Sequence, residues 1–300
     1  METVHIKSIT QCHQSLHIEK PKHPLFSIYR FEDIPQVNLA EKTKLIFDYY
    51  QIVFKKACPN KVQYGQTAYD FDEGVMSYFS PRQASIAEKG ILLPVSGWTV
   101  NISPDFLIGY GLNQGIKSYG FFEYDVNEAL ILSEDEEKVM ENIFHQIWNE
   151  YHLPIDRFSQ DLVIANLELL LTYSNRYYNR QFVVRRPVNA PLLHKFKELL
   201  NTYFEDEIVT NGLPTVHEFA SALNLSDKYF SDVLKQHSGL TAQQLIHEKL
   251  IEKAKEKLSS TALTVSEIAY ALGFQYPQSF SNLFKSKTNK TPLEFRAGLS

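Results

Sequence analysis

Thr215-Val216-His217-Glu218-Phe219-Ala220-Ser221-Ala222-Leu223-Asn224-Leu225 and Thr264-Val265-Ser266-Glu267-Ile268-Ala269-Tyr270-Ala271-Leu272-Gly273-Phe274 are one pattern written twice, 49 residues apart. Each copy opens with Thr-Val-x-Glu, a capping box in which the two side chains satisfy each other's free backbone donors, so helices start at equivalent points. Phe219, Ala220 and Leu223 match Ile268, Ala269 and Leu272 on the apolar face. Both helices end at a residue that tolerates left-handed backbone, Asn224 or Gly273, which predicts a tight turn. Beyond the turn, Phe230 to Lys235 aligns with Phe280 to Lys285 at an offset of 50, so the second turn is longer by one residue. Ser226 suits the N-cap of the first following helix, and Pro277 the first position of the second. Each copy therefore reads as helix, sharp turn, helix: HTH 1 at about 215–237 and HTH 2 at about 264–287.

Between the copies Thr241-Ala242-Gln243-Gln244 is another capping box, opening a helix to about Leu258 with Ile246, Leu250, Ala254 and Leu258 four apart. A stiff joining helix fixes the separation of the two copies, and successive major-groove faces of B-DNA are about 34 Å apart. Once the core faces are assigned, Lys228, Ser231, Asp232 and Lys235 are left exposed in the first copy and Gln278, Ser279, Asn282 and Lys285 in the second. Gln278 and Asn282 are suited to adenine edges, and the lysines to guanine or phosphate. Asp232 can accept from a cytosine amino group but otherwise repels phosphate, which ranks the first copy lower as a base reader. Its alternative is a solvated surface acid. Lys287, Lys290 and Arg296 are expected on backbone phosphates, a solvated charge being the alternative for each.

Lys249-Leu250, Ala254, Leu258, Ile268-Ala269, Leu272-Gly273-Phe274, Phe280, Leu283-Phe284-Lys285, Thr291-Pro292 and Arg296 resemble the signature of the AraC/XylS family of transcription activators. The resemblance covers about Leu192 to Ser300; Ala242 stands where the family commonly has proline, and Asn289 replaces its usual glycine. It implies a multidomain α+β protein: a mainly-β, cupin-like effector-binding domain over 1–130, a helical pair for dimerisation over 131–184, a linker at 185–191 and an all-α DNA-binding domain over 192–300. It also implies operator or promoter DNA as partner, with RNA polymerase, a second copy of the chain and a small-molecule effector besides. The base-reading positions of the family fall on the exposed residues named above. The amino-terminal likeness is diffuse. Activation against repression, the operator and the effector are not readable from the chain.

The rest of the chain is consistent with two or three compact units, since single cores rarely grow beyond about 250–300 residues. Net charge is −5, but it is unevenly placed: residues 1–189 hold 18 basic and 23 acidic side chains, whereas from Lys249 onward eight basic face four acidic. DNA contact should lean on that end. No long apolar run and no secretory leader pattern occur, so no membrane is expected and the cytoplasm is. From Pro24 to Tyr124, short aromatic and β-branched runs such as Val75–Phe79 and Trp98–Ile102 alternate with turn formers, Asp72-Glu73-Gly74 and Ser96-Gly97 among them. Within this stretch Leu45, Tyr49 and Ile52-Val53 predict a helix over Ala40–Ala57. Ser133 and Glu136 cap a helix ended by Pro154, and a second runs from about Gln160 to Tyr178. That second helix is apolar on more than one face, which suits either a buried intradomain helix or a subunit interface. Two prolines in Arg185–Pro191 predict an extended linker.

Two other classes compete. A cupin-type enzyme would hold a metal on His-x-His, which is absent; His13 and His17, or His145 and His152, are poor substitutes, and no Gly-x-Ser-x-Gly nucleophile motif occurs. No catalytic residue, cofactor or metal is therefore assigned. A protein-binding adaptor is the other, given the neutral balance of residues 190–300. Tyr69, Phe71, Tyr78 and Trp98 suit a pocket for a small organic effector, although core packing accounts for them equally.

Overall fold

The computed structural model describes residues 2–35, 43–56, 63–64, 67–68, 74–87, 96–125, 128–184 and 186–298. The chain divides into two compact units, Met1–Gln181, rich in strands, and Phe182–Ser300, which is helical.

In the amino-terminal unit β1 (Glu2–Ile6), α1 (Ile9–Ser15), β2 (Phe26–Arg30), β3 (Thr43–Phe47) and β4 (Tyr50–Lys56) are followed by the short pair β5 (Gln63–Tyr64) and β6 (Thr67–Ala68). Then come β7 (Val75–Phe79), β8 (Ala84–Ala87), β9 (Ser96–Ile102), the single turn α2 (Leu112–Gly115) and β10 (Leu130–Ile131). An antiparallel sheet runs in the order β10-β7-β4-β9-β2. In a second sheet β3 pairs with β1 in parallel and with β8 antiparallel.

Two local expectations are corrected here. The helix expected over Ala40–Ala57 is, across its described part, β3 and β4. Tyr50 through Phe54 are all buried inside the five-stranded sheet, and a strand covered on both faces is an unbroken apolar run in which a helical period can always be found. Ser96-Gly97, expected as a turn, begins β9. Gly97 has φ +132°, and a Cβ there would stand 2.1 Å from the Phe54 carbonyl oxygen, so this glycine marks a close strand approach. Val75–Phe79 and Trp98–Ile102 are strands as predicted. Tyr69, Phe71, Asp72 and Glu73 lie outside the described residues.

Two long helices, α3 (Glu134–His152) and α4 (Ser159–Val184), complete the unit. The Ser133 N–H donates to the Glu136 carboxylate at 3.0 Å and the Glu136 N–H to Ser133 Oγ at 3.4 Å, closing the predicted box. Phe144 stacks on Phe54 and Trp98, which seats α3 on the sheet. The surplus apolar surface of α4 goes inward as well: Leu167, Leu170 and Leu171 are buried, and Tyr78 Oη donates to Ser174 Oγ at 2.6 Å. Leu162 and Leu169 stay exposed.

The carboxyl-terminal unit contains α5 (Arg186–Thr202), a π-helical turn at Tyr203–Glu207, α6 (Ile208–Asn211), α7 (Val216–Ala222), α8 (Asp227–Ser238), α9 (Ala242–Ser260), α10 (Val265–Ala271), α11 (Pro277–Thr288) and α12 (Pro292–Ala297). The extended linker expected over 185–191 is thus helical from Arg186 on, Arg185 lying outside the described residues. Pro187 falls in the first turn, where no backbone donor is needed, so it starts a helix instead of preventing one.

Candidate nucleic-acid interface

All four Thr-led boxes of the carboxyl-terminal unit form: Thr215 with Glu218, Thr241 with Gln244, Thr264 with Glu267 and Thr291 with Glu294. Asn224 at φ 55° and Gly273 at φ 81° make the turns inside the two copies, and Asn289, at φ 59°, takes the left-handed position that closes α11. Each copy is a perpendicular-turn helix pair, α7 with α8 and α10 with α11, built on small residues: Ala220 and Ala269 are fully buried.

One core serves both copies. It runs from Phe196, through Phe219, Phe230 and Leu234, along Ile246, Leu250, Ala254 and Leu258, to Ile268, Phe280 and Phe284. The joining helix α9 packs on α8, α10 and α12, so both copies are held by the same rod of side chains. Burying these faces fixes what is left outside.

On α11 the exposed set is Gln278, Ser279, Asn282 and Lys285, with Lys287 at its end and Lys290 just beyond. Gln278 Nε2 donates to Asn282 Oδ1 at 3.1 Å, so the two amides already lie side by side on one face. The helix contains no acidic residue, and Lys285, Lys287 and Lys290 make no ion pair among the described residues. Lys287 also approaches His247 of α9, whose imidazole is held below its ordinary pKa by burial and then by that cation.

On α8 only Lys235 is exposed; Lys228, Ser231 and Asp232 are half-buried. Lys228 Nζ lies 3.2 Å from Asp232 Oδ1 one turn away, and Asp227 faces His217 at 3.1 Å. The first copy therefore presents a partly neutralised surface, the second an uncompensated cationic one. Arg296 stands apart from both: it is half-buried, and its Nε–H donates to the Leu258 carbonyl at 3.1 Å, tying α12 to the end of α9.

Reading only the core face overlooked Tyr276. It occupies the N-cap of α11, makes no capping hydrogen bond and is 68% exposed. Its signal lay in the sequence: at that position Ser or Thr begins most of the other helices of this unit, and a tyrosine cannot cap.

A family profile described as a helix-turn-helix domain matches residues 219–298. The chain is 29% identical over 136 residues to the HTH-type transcriptional activator RhaS of Salmonella paratyphi B, a stretch that is 45% of this chain and 47% of that protein. It thus spans about half the length of the curated relatives it matches. Among solved structures it resembles the C-terminal domain of the two-component response regulator yesN from Fusobacterium nucleatum, at 32% identity over 33% of this chain and 96% of that one, with a TM-score of 0.30. The C-terminal domain of AraT, a response regulator from Geobacillus stearothermophilus, is 29% identical over 34% and 84% of the two chains, with a TM-score of 0.31. By its carboxyl-terminal unit, a double helix-turn-helix domain, the chain belongs to the AraC/XylS family.

Proposed function

We propose that this chain is a sequence-specific transcription regulator that binds double-stranded operator or promoter DNA through α8 and α11. The observation that carries the reading is the core shared by two helix-turn-helix copies around α9, with an acid-free, amide- and lysine-bearing face left outside on α11. Gln278 and Asn282 read adenine edges, Ser279 and Lys285 contact bases or the nearby backbone, and Lys287 and Lys290 ride on phosphates. Tyr276 meets the duplex where the helix enters the groove. Lys228, Ser231, Asp232 and Lys235 form the weaker head, because the carboxylate of Asp232 offsets its lysines. Arg296 serves the fold.

The amino-terminal unit is the effector-binding domain, cupin-like over 1–130, and the helical pair over 131–184 joins two copies. A hydrogen-bonded row of Gln51, Asn101 and Ser27 across β4, β9 and β2 supports an inner sheet face suited to polar groups. Exposed Leu162 and Leu169, seven residues apart on α4, support the contact between copies. RNA polymerase is the further partner, and the cytoplasm the place; no helix among the described residues is long and apolar enough to cross a membrane. The enzyme reading has less behind it: the matched profile and the relatives are regulators, and no metal-ligating group of three or more occurs among the described residues.

Selection of duplexes from a random pool by the full chain tests this directly. An enriched motif that competes with bulk DNA in a gel shift is expected; recovery of no motif would count against regulation and for the adaptor alternative.

A further inference from the structure

A half-enclosed cavity of about 250 Å³ opens in the amino-terminal unit where β2, the segment before α2 and the turn between α3 and α4 meet. Its floor is aromatic. Phe26 stacks on Phe106 at 5.0 Å, Tyr151 meets Phe26 edge-on at 5.9 Å, and Val163 closes the back. Most polar groups in its wall are already committed: Gln160 Nε2 donates to the Phe106 carbonyl, the Lys22 N–H to Tyr151 Oη, and the backbone N–H groups of Phe158 and Ser159 to Asp156.

What remains at the rim is two cations and one carboxylate, that of Glu150. Arg157 lies over the ring of Phe158 at 4.4 Å and makes no ion pair among the described residues. Lys22 Nζ has only the His152 carbonyl, at 3.4 Å. An exposed Ile155, 68% accessible, stands at the mouth. Ligand pockets for drug-sized molecules are usually about 300–1,000 Å³, so this one limits its occupant to roughly a single ring.

We propose that this cavity binds a small aromatic carboxylate, its ring against Phe26, Phe106 and Val163 and its carboxylate toward Arg157 and Lys22. The guanidinium, already stacked and unpaired, supplies a charge-assisted hydrogen bond to the anion. The site deepens the effector-domain reading, and rests on that reading only for its consequence at DNA; the binding stands independently.

Calorimetric titration of the full chain with phenylacetate, and in parallel with the neutral phenylacetamide, tests it. Saturable binding of the acid is expected, about tenfold or more weaker for the amide, and weakened about tenfold or more in R157E and in K22E. Both replaced side chains are exposed, and unchanged circular dichroism and unchanged DNA affinity without ligand confirm intact folding. Absence of saturation by the acid, equal affinity for acid and amide, or affinity unmoved by both charge reversals would each overturn the proposal. Loss of DNA binding by the unmodified chain would instead strike at the regulator reading.

Discussion

Gln278 and Asn282 occupy one turn of one helix and already hydrogen-bond to each other at 3.1 Å. Removing Gln278 therefore takes away one base contact and unties its neighbour. Gln278→Ala should relax preference at a single base pair by about 1–3 kcal/mol, seen when binding to single-base variants of the selected site is compared. Lys290→Ala should weaken every duplex alike and lower the salt slope by about 1, measured by anisotropy across a salt series. Arg296 should behave differently from both. Its bond to the Leu258 carbonyl is internal, so Arg296→Ala should cost about 1.5–3 kcal/mol in a urea unfolding curve and leave the salt slope unchanged. A slope that falls in Arg296→Ala would return that side chain to the phosphates. The type and spacing of residues on α11 were legible in the sequence because an amphipathic helix exposes what its core does not use. Arg296 was not, since a cation near the chain end looks the same whether it faces phosphate or a helix carbonyl. The burial of Lys228 and Asp232 in a mutual pair was equally hidden, because it depends on the rotamers two side chains adopt.

At the level of elements, the Thr-led capping boxes decide where the short helices begin. The backbone N–H of Thr264 donates to Glu267 at 2.7 Å, that of Thr291 to Glu294 at the same distance, and each carboxyl is held below its ordinary value chiefly by that bond. A depressed carboxyl contributes stability above its unfolded pKa, near 4.5, and loses it as pH falls through the lower folded value. Chemical unfolding below about pH 4.5 should therefore show stability declining as the solution is acidified, with a shallower decline in E267A. At neutral pH, Thr264→Ala should cost about 1 kcal/mol. Gly273→Ala should cost more than that. At φ 81° its new Cβ would sit 2.7 Å from the Gly212 carbonyl carbon, a backbone atom that cannot swing aside. Capping chemistry is local, which is why the helices of the carboxyl-terminal unit could be placed from sequence almost residue by residue. The strands β3 and β4 could not be. Their pattern is set by being covered on both sides, a fact of tertiary structure, and the helical start at Arg186 overrode the extended bias of two prolines by the same kind of context.

For the whole molecule, the charge sum and the shape of the core matter more than any single contact. A chain of net charge −5 gains no attraction to DNA from its bulk, so affinity must come from where its cations are displayed. The core continuous along α9 makes the distance between α8 and α11 a property of the fold, not of the complex. Two heads on a fixed spacer should meet one face of the duplex in adjacent turns. Hydroxyl-radical and missing-contact footprinting of the full chain on its selected site tests this most directly. The account predicts two clusters of contacts about 10–10.5 base pairs apart on one side of the helix, the stronger assigned to α11 by its loss in Gln278→Ala. A single cluster, or two on opposite sides of the duplex, would contradict it.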